Sequence, residues 1–382
     1  MKKILIFIDW FLPGYKAGGP VRSVANMVEH LNNEFEFYVV TRDTDYLENI
    51  PYYNVVSNNW NNFIPNVKVY YADDNNSSLK QWRRLIREIK PDVVYINGIY
   101  SKYFSIYPLI AAKLEKIKKF GKIIVAPRGM LGFGALSIKP LKKKIFLYII
   151  KKMGIFKNIY WHATAETEKY EIISNIGNAK VFVAENLPSA KIKNGFSAKI
   201  KDKDKLQLCF ISRVNRKKNI SFALSVLSKL NKNINIEYDI FGPIDDVHHW
   251  NECQTIIKKI PDNIKVEYKG VLKHEAVIDN LKNYHAFLFP TLNENFGHII
   301  LESFMAGRPV IISDQTPWRD LQNKNAGWDL PLNENQFIET INQIANMEQP
   351  EYDTLCKGAF NLAEEFVNNE EFVEKYKGMF EL

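Results

Sequence analysis

Two glutamates, Glu294 and Glu302, bracket seven residues in the segment NENFGHIILE (293–302). Paired carboxylates suggest acid/base work or a metal, but the residues between them suggest another use. A strand is expected to end at Pro290, and a helix to run from about Phe296 to Ala306. Gly307 closes that helix and Pro309 opens the next strand. Glu294 then precedes the helix, and Glu302 sits nearly two turns inside it. The free amides near Asn295, Phe296, Gly297 and His298, together with the helix dipole, make an anion pocket. A diphosphate docked there leaves a glycosyl group near Glu294. A nucleoside ribose falls within reach of Glu302, since carboxylates accept hydrogen bonds from vicinal diols. Two other readings stay open for the pair, as exposed acids flanking a helix or as a glycosidase couple.

A cationic segment accompanies it. In ISRVNRKKN (211–219), Arg213 and Lys218 stand five apart on a loop between a strand and a helix. Two fixed cations facing a helix N-terminus neutralise charge growing on a leaving diphosphate, and both are expected to be partly solvated. After the first strand, PGYKAGGP (13–20) leads into a helix, where Gly18 and Gly19 let backbone amides approach a phosphate or sugar. It is not a GxGxxG fingerprint. No metal is expected. DTD (43–45) follows a strand without other ligands in view, and DKD (202–204) lies in a charged linker. The seven histidines show no ligand spacing, with His248 and His249 in a polar, surface-like segment. Cys209, Cys253 and Cys356 read as reduced core thiols.

The elements that must hold these residues alternate between short β-rich runs and helical patterns. KKILIFID (2–9), FEFYVVT (35–41), VKVYYA (67–72), DVVYING (92–98) and KIIVAPRG (122–129) are separated by patterns such as GPVRSVANMVEHLN (19–32) and SLKQWRRLIREIK (78–90). This is the signature of a parallel sheet wrapped by helices. The pattern breaks in the polar, lysine-rich SAKIKNGFSAKIKDKDK (189–205) and resumes at LQLCFIS (206–212), IEYDIFG (236–242), IKVEYKG (264–270), AFLFPT (286–291) and PVIIS (309–313). The expected fold is α/β, with two Rossmann-like domains facing across a cleft. Their expected bounds are 1–190, a linker at 191–205, 206–365, and a terminal helix at 366–382 that packs back on the first domain. Ligands of such sheets bind at the carboxyl ends of the strands.

A chain of 382 residues with 46% hydrophobic and 25% charged content suits two soluble, core-forming domains. No apolar run approaches the roughly 18 residues that span a bilayer. MKKILIFIDW reads as a buried strand rather than a signal peptide, because Asp9 interrupts it, so a cytoplasmic location is expected. Between Lys116 and Ala165 there are eleven lysines, Arg128 and no acid, whereas residues 333–382 hold eleven acids and three bases. That asymmetry points to an anionic partner for the first half. In KPLKKKIFLYIIKKMGIFK (139–157) lysines flank an apolar run. They do not gather on one helical face, so a clean interfacial helix is not supported. The composition still suits an anionic membrane surface at the inner face of the cell membrane, or a lipid-diphosphate acceptor. No nucleic-acid module is present.

Segments 211–219 and 290–317 together resemble the donor domain of the retaining GT-B glycosyltransferases of family 4. That family carries a glutamate, seven residues and a second glutamate, with an Arg and a Lys five apart after the first strand of the second domain. AGGPVRSV (17–24), ATAETEKYEI (163–172) and ENLP (185–188) also resemble family segments. The resemblance implies transfer of a sugar from a nucleotide sugar with retained configuration, no metal and no cofactor. It places Glu294 by the transferred sugar, Asn295, Phe296 and Gly297 at the sugar or phosphate, and Glu302 on the ribose. The implied acceptor is a lipid-linked glycan or a growing bacterial surface polysaccharide. One departure stands out. Arg128 occupies the place in VAPRGML (125–131) where many relatives have a histidine, and arginine cannot act as a base. Arg128 and Asn97, in INGIY (96–100), are candidate sugar or acceptor contacts. A nucleotide-sugar epimerase or hydrolase, and a non-catalytic nucleotide-sugar sensor, are the rival readings.

Overall fold

The computed structural model describes residues 1–115, 121–137, 140–189, 195–230 and 233–381. Part of the expected linker (191–194) and Lys116, Lys118, Lys119 and Lys139 of the acid-free stretch lie outside them. The chain divides into two compact units, Met1–Ala190 with Asn369–Leu382, and Lys191–Asn368.

The first unit is built on β1 (Lys2–Phe7), β2 (Phe35–Arg42), β3 (Trp60–Ile64), β4 (Val67–Ala72), β5 (Val93–Asn97), β6 (Lys122–Ala126), β7 (Tyr160–Ala163) and β8 (Lys180–Val183). The sheet order is β3-β4-β2-β1-β5-β6-β7-β8, parallel throughout except for the edge pair β3–β4. Ile4, Leu5, Ile6 and Phe7 are all buried, as a parallel strand covered on both faces requires. The covering helices are α1 (Gly19–Leu31), α2 (Leu79–Ile89), α3 (Tyr107–Leu114), α4 (Phe133–Ser137), α5 (Pro140–Lys152) and α6 (Glu166–Ile176). In α2 the buried side chains Trp82, Leu85, Ile86 and Ile89 recur at helical spacing. Ser78 caps it by accepting from Gln81 N at 3.2 Å.

The second unit carries β9 (Lys205–Ile211), β10 (Asn235–Phe241), β11 (Ile264–Gly270), β12 (Ala286–Phe289), β13 (Val310–Ser313) and β14 (Gly327–Leu330). Its order, β11-β10-β9-β12-β13-β14, is the doubly wound 3-2-1-4-5-6 arrangement, all parallel. Around it lie α7 (Ile220–Leu227), α8 (Val247–Ile257), α9 (Val277–Leu281), α10 (His298–Met305), α11 (Glu334–Asn346) and α12 (Gln349–Val367). Residues 195–204 are tied to this unit. Arg308 Nη1 donates to Ser197 O at 3.0 Å, and Lys201 Nζ to Ala345 O at 2.8 Å. The last helix, α13 (Glu371–Glu381), belongs to the first unit. Phe380 meets Phe35 edge-on at 5.5 Å, and Tyr376 meets His162 at 5.1 Å.

Two surface expectations change. His249 is buried rather than exposed, because helical spacing puts it on the inward face of α8 with Trp250 and Cys253. In α5 the lysines are indeed scattered, but Leu141, Ile145, Tyr148 and Ile149, with Met153 just beyond, form an exposed apolar stripe at helical spacing. The lysines do not mark that outer face, because the apolar residues and not the charges define it. Among the described residues no helix is long and apolar enough to cross a membrane.

Candidate active site

β9 and β12 are neighbours in space although β10 and β11 intervene in sequence, so the strand order reverses between them. Ligands of open parallel sheets bind at such a switch point, beyond the carboxyl ends. The chain leaves β9 through Arg213 and makes a 3₁₀ turn at Arg216–Lys218, where Asn215 caps the turn by accepting from Lys218 N at 3.2 Å. After β12 the loop 290–297 is pinned on both sides. Leu292 N donates to Lys217 O and Glu294 N to Gln315 O, each at 2.9 Å, and Asn219 Nδ2 donates to Pro290 O at 3.0 Å.

These tethers bring Lys218 and Glu294 together. The Lys218 ammonium donates to Glu294 Oε2 in an ion pair whose side chains are only 11% and 16% exposed. The same ammonium lies 5.2 Å from the centre of the Phe289 ring. Burial alone would push the Glu294 carboxyl up. The charges of Lys218 and Lys217, with hydrogen bonds from Lys218 and the Asn295 amide, outweigh burial and hold it below the ordinary glutamate value. Lys218 is thus buried, not partly solvated as expected, because the pinned loop closes over it. Arg213 is one-third exposed, with Nη1 3.7 Å from Asp245 Oδ2. Asp245 also accepts from Asn215 Nδ2 at 2.9 Å.

Gly297 caps α10 at φ +80°, a left-handed conformation that favours glycine. A Cβ there would stand 2.7 Å from Ile300 Cδ1 and 3.2 Å from Glu294 Cγ, so glycine also makes room for the glutamate. Phe296 is buried against His298, Trp318 and Phe366, and its carbonyl accepts from Trp318 Nε1 at 2.6 Å. Asn295 precedes it in the same loop. α10 opens at His298, and its first turn closes on Gly297 O, which accepts from Ile300 N at 2.9 Å and from Leu301 N at 3.3 Å. Glu302 is 7% exposed, and one oxygen lies 3.6 Å from His274 Nδ1. His274 and Asp245 were not singled out from the sequence. The acidic pair in FGPIDD (241–246) after β10, mirroring the basic loop after β9, was the available signal for Asp245.

The remaining predicted residues belong to the first unit. Gly18, at φ +74°, starts α1, and Gly19 is its first residue. Asp45 of the DTD segment is buried and accepts from Tyr15 N at 3.1 Å and Lys16 N at 3.4 Å, so it anchors the glycine loop. Among the described residues no group of three or more His, Cys, Asp or Glu side chains is placed to hold a metal. Arg128, at φ +55°, sits in a polar network. Its Nε donates to Asn97 Oδ1 (2.8 Å), Nη1 to Asn186 Oδ1 (2.5 Å) and Nη2 to Tyr95 Oη (2.8 Å). His162 continues the chain. Its Nε2 meets the Ala184 carbonyl at 2.8 Å, and burial, with the Arg128 charge beside it, pushes the imidazole down to about 3. A neutral ring that donates through Nε2 must accept through Nδ1, so Tyr95 Oη donates to it, at 2.6 Å. Asn186 lies in ENLP. Glu168, from ATAETEKYEI, accepts from Thr164 N at 2.7 Å and from Gly129 N.

Residues 192–360 match the family model described as glycosyl transferases group 1. No curated protein matches the sequence. Among solved structures, sucrose-phosphate synthase from Thermosynechococcus elongatus superposes with a TM-score of 0.74 at 14% identity, covering 100% of this chain and 98% of the other. HepE from Anabaena, in complex with UDP-glucose, gives 0.70 at 12% identity over 100% of both chains. WaaG, a glycosyltransferase involved in lipopolysaccharide biosynthesis, gives 0.67 at 11% identity over 99% of both. With the doubly wound second unit, these likenesses give the chain the GT-B fold, and residues 192–360 of it are similar to the glycosyl transferases group 1 family.

Proposed function

We propose that this protein moves a sugar from a nucleotide sugar to a lipid-linked glycan or polysaccharide acceptor, with retained configuration and without a metal ion. The carrying observation is the Lys218–Glu294 ion pair at the β9/β12 switch point, beside the start of α10. In this reading the donor diphosphate lies over the amides of Asn295, Phe296, Gly297 and His298. Lys218 and Arg213 neutralise the charge that gathers on it as the glycosidic bond breaks. An arriving diphosphate competes with Glu294 for the Lys218 ammonium, which turns the Glu294 carboxylate toward the sugar as that sugar becomes cationic. Glu302, steadied by His274, accepts from the ribose hydroxyls. Gly18 and Gly19, at the start of α1 in the first unit, are further candidates for donor contact. Arg128 and Asn97, joined by a hydrogen bond of 2.8 Å in the first unit, are candidate sugar or acceptor contacts.

Further observations support the donor and acceptor classes. HepE was solved with UDP-glucose, and WaaG acts in lipopolysaccharide biosynthesis, so a UDP-sugar and a bacterial surface polymer are the first candidates. The exposed stripe of α5, bordered by Lys142, Lys144, Lys151 and Lys152, suits peripheral contact with an anionic membrane, where a lipid-linked acceptor is held. Incubation with UDP-, GDP-, ADP- and dTDP-sugars, with and without lipid-linked acceptors, tests the reading. Product that forms only with acceptor supports transfer. Free sugar released into water means hydrolysis, a changed sugar still on its nucleotide means epimerisation, and binding without turnover means a sensor.

A further inference from the structure

The amino ends of β1, β5, β6, β7 and β8 border a cavity of 880 Å³ in the first unit. It lies at the opposite edge of the sheet from the strand carboxyl ends, and no residue assigned to sugar transfer lines it. Five lysines do: Lys2, Lys122, Lys151, Lys157 and Lys180, against one carboxylate, Asp92. That carboxylate already accepts from Lys3 N at 2.8 Å. The lysines find mainly neutral partners. Lys2 Nζ donates to the Glu381 carbonyl at 2.8 Å and Lys151 Nζ to the Asn175 carbonyl at 2.9 Å, while Lys180 lies over the Tyr160 ring at 5.5 Å. Lys122 Nζ is shielded from solvent and has no hydrogen-bond partner among the described residues. Burial, with the like charge of Lys2 nearby, lowers its pKa.

An ammonium shielded without a partner, beside other cations, is costly unless an anion joins it. Ordinary surface lysines avoid this by reaching into water. Lysines acting as point charges suit phosphate oxygens, which do not need the planar fork of arginine. We propose that this cavity binds a phosphate-bearing anion, at a site separate from the one assigned to the sugar donor. The phosphate belongs either to a soluble di- or polyphosphate or to an anionic lipid headgroup, because Lys151 at the cavity wall also lies on α5 with its exposed apolar stripe. The proposal does not rest on the sugar-transfer reading.

Calorimetric titration with pyrophosphate tests it, in an Arg213→Ala background that weakens the donor site. Lys122→Met and Lys151→Gln/Lys180→Gln, added to that background, are the test variants. A parallel arm measures flotation with phosphatidylglycerol and phosphatidylcholine vesicles. Lys122→Met should fold at least as stably as its parent, since it removes a shielded charge, and the double substitution keeps polar groups at the surface. The expected result is at least tenfold weaker pyrophosphate binding in both variants. If vesicle binding falls with it, the site holds a headgroup; if vesicle binding is unchanged, it holds a soluble phosphate. Pyrophosphate and phosphatidylglycerol binding equal to the parent in both variants, or no binding of either by the parent, overturns the proposal.

Discussion

Lys218 has one carboxylate partner and an aromatic floor, and both ends of the pair are largely out of water. Removing one member of such a pair strands the other, a loss of about 3 kcal/mol. Lys218→Ala should therefore lower the unfolding free energy by about that much and cut turnover by two to three orders of magnitude, the scale of one lost transition-state contact. Arg213→Ala should cut turnover similarly while shifting stability by about 1 kcal/mol or less, because Arg213 is one-third exposed and its contact with Asp245 is long. Urea unfolding and initial rates on the same samples check both. Full turnover in either variant would assign that residue to the scaffold. Protonation gives a second handle. The depressed Glu294 carboxyl means that the stability from its pair is complete above the ordinary glutamate value of 4.5 and is lost as pH falls through the lower folded value. His162 is also depressed, from 6.5 to about 3, but here the neutral form is the folded one. Between those values the unfolded chain binds the extra proton, so stability falls with pH by up to about 1.4 kcal/mol per unit. His162→Gln should flatten the slope of unfolding free energy between pH 6 and 4, and an unchanged slope would contradict the buried neutral assignment.

Among the elements, those that reveal themselves in sequence are buried on both faces or amphipathic with clear ends. ILIF of β1, VYYA of β4 and VVYI of β5 are continuous apolar runs, and α2 announces both its apolar spacing and its Ser78 cap. β3 (WNNFI), β7 (YWHA), β8 (KVFV) and β14 (GWDL) escape notice because they are four or five residues long and lack a clear period. The strand–loop–helix frames of ISRVNRKKN and NENFGHIILE were legible, because glycine, proline and charge mark their ends. The direct Lys218–Glu294 bond was not, since it depends on Lys217 O and Gln315 O pinning a loop from separate segments. On α5, two groups of side chains differ in availability. Lys143 Nζ donates to Ala135 O and lies over Tyr100, so it serves the fold, whereas Lys142 and Lys144 are exposed. Lys142→Gln/Lys144→Gln should weaken binding to anionic vesicles by roughly 1 kcal/mol per lysine near the surface. Ile145→Ser/Ile149→Ser should weaken binding to neutral vesicles as well. Vesicle flotation equal to wild type for both pairs would leave the stripe without a membrane role.

At the scale of the whole molecule, one doubly wound unit grips the donor in the proposed reading without a divalent ion, through backbone amides and two cations. Activity should then survive prolonged EDTA treatment, and loss restored by Mg²⁺ or Mn²⁺ would return a metal to the mechanism. The most direct measurement separates the two glutamates by titrating Glu294→Gln and Glu302→Gln with UDP and with an intact UDP-sugar, alongside transfer rates. Glu302→Gln should weaken UDP and UDP-sugar equally, since it loses the charge-assisted bond to the ribose. Glu294→Gln should bind UDP as well as wild type or better, because the carboxylate no longer competes for Lys218, while transfer collapses. If Glu294→Gln instead loses bare UDP as badly as Glu302→Gln does, the loop glutamate does not face the sugar and the proposed seating of the donor is wrong.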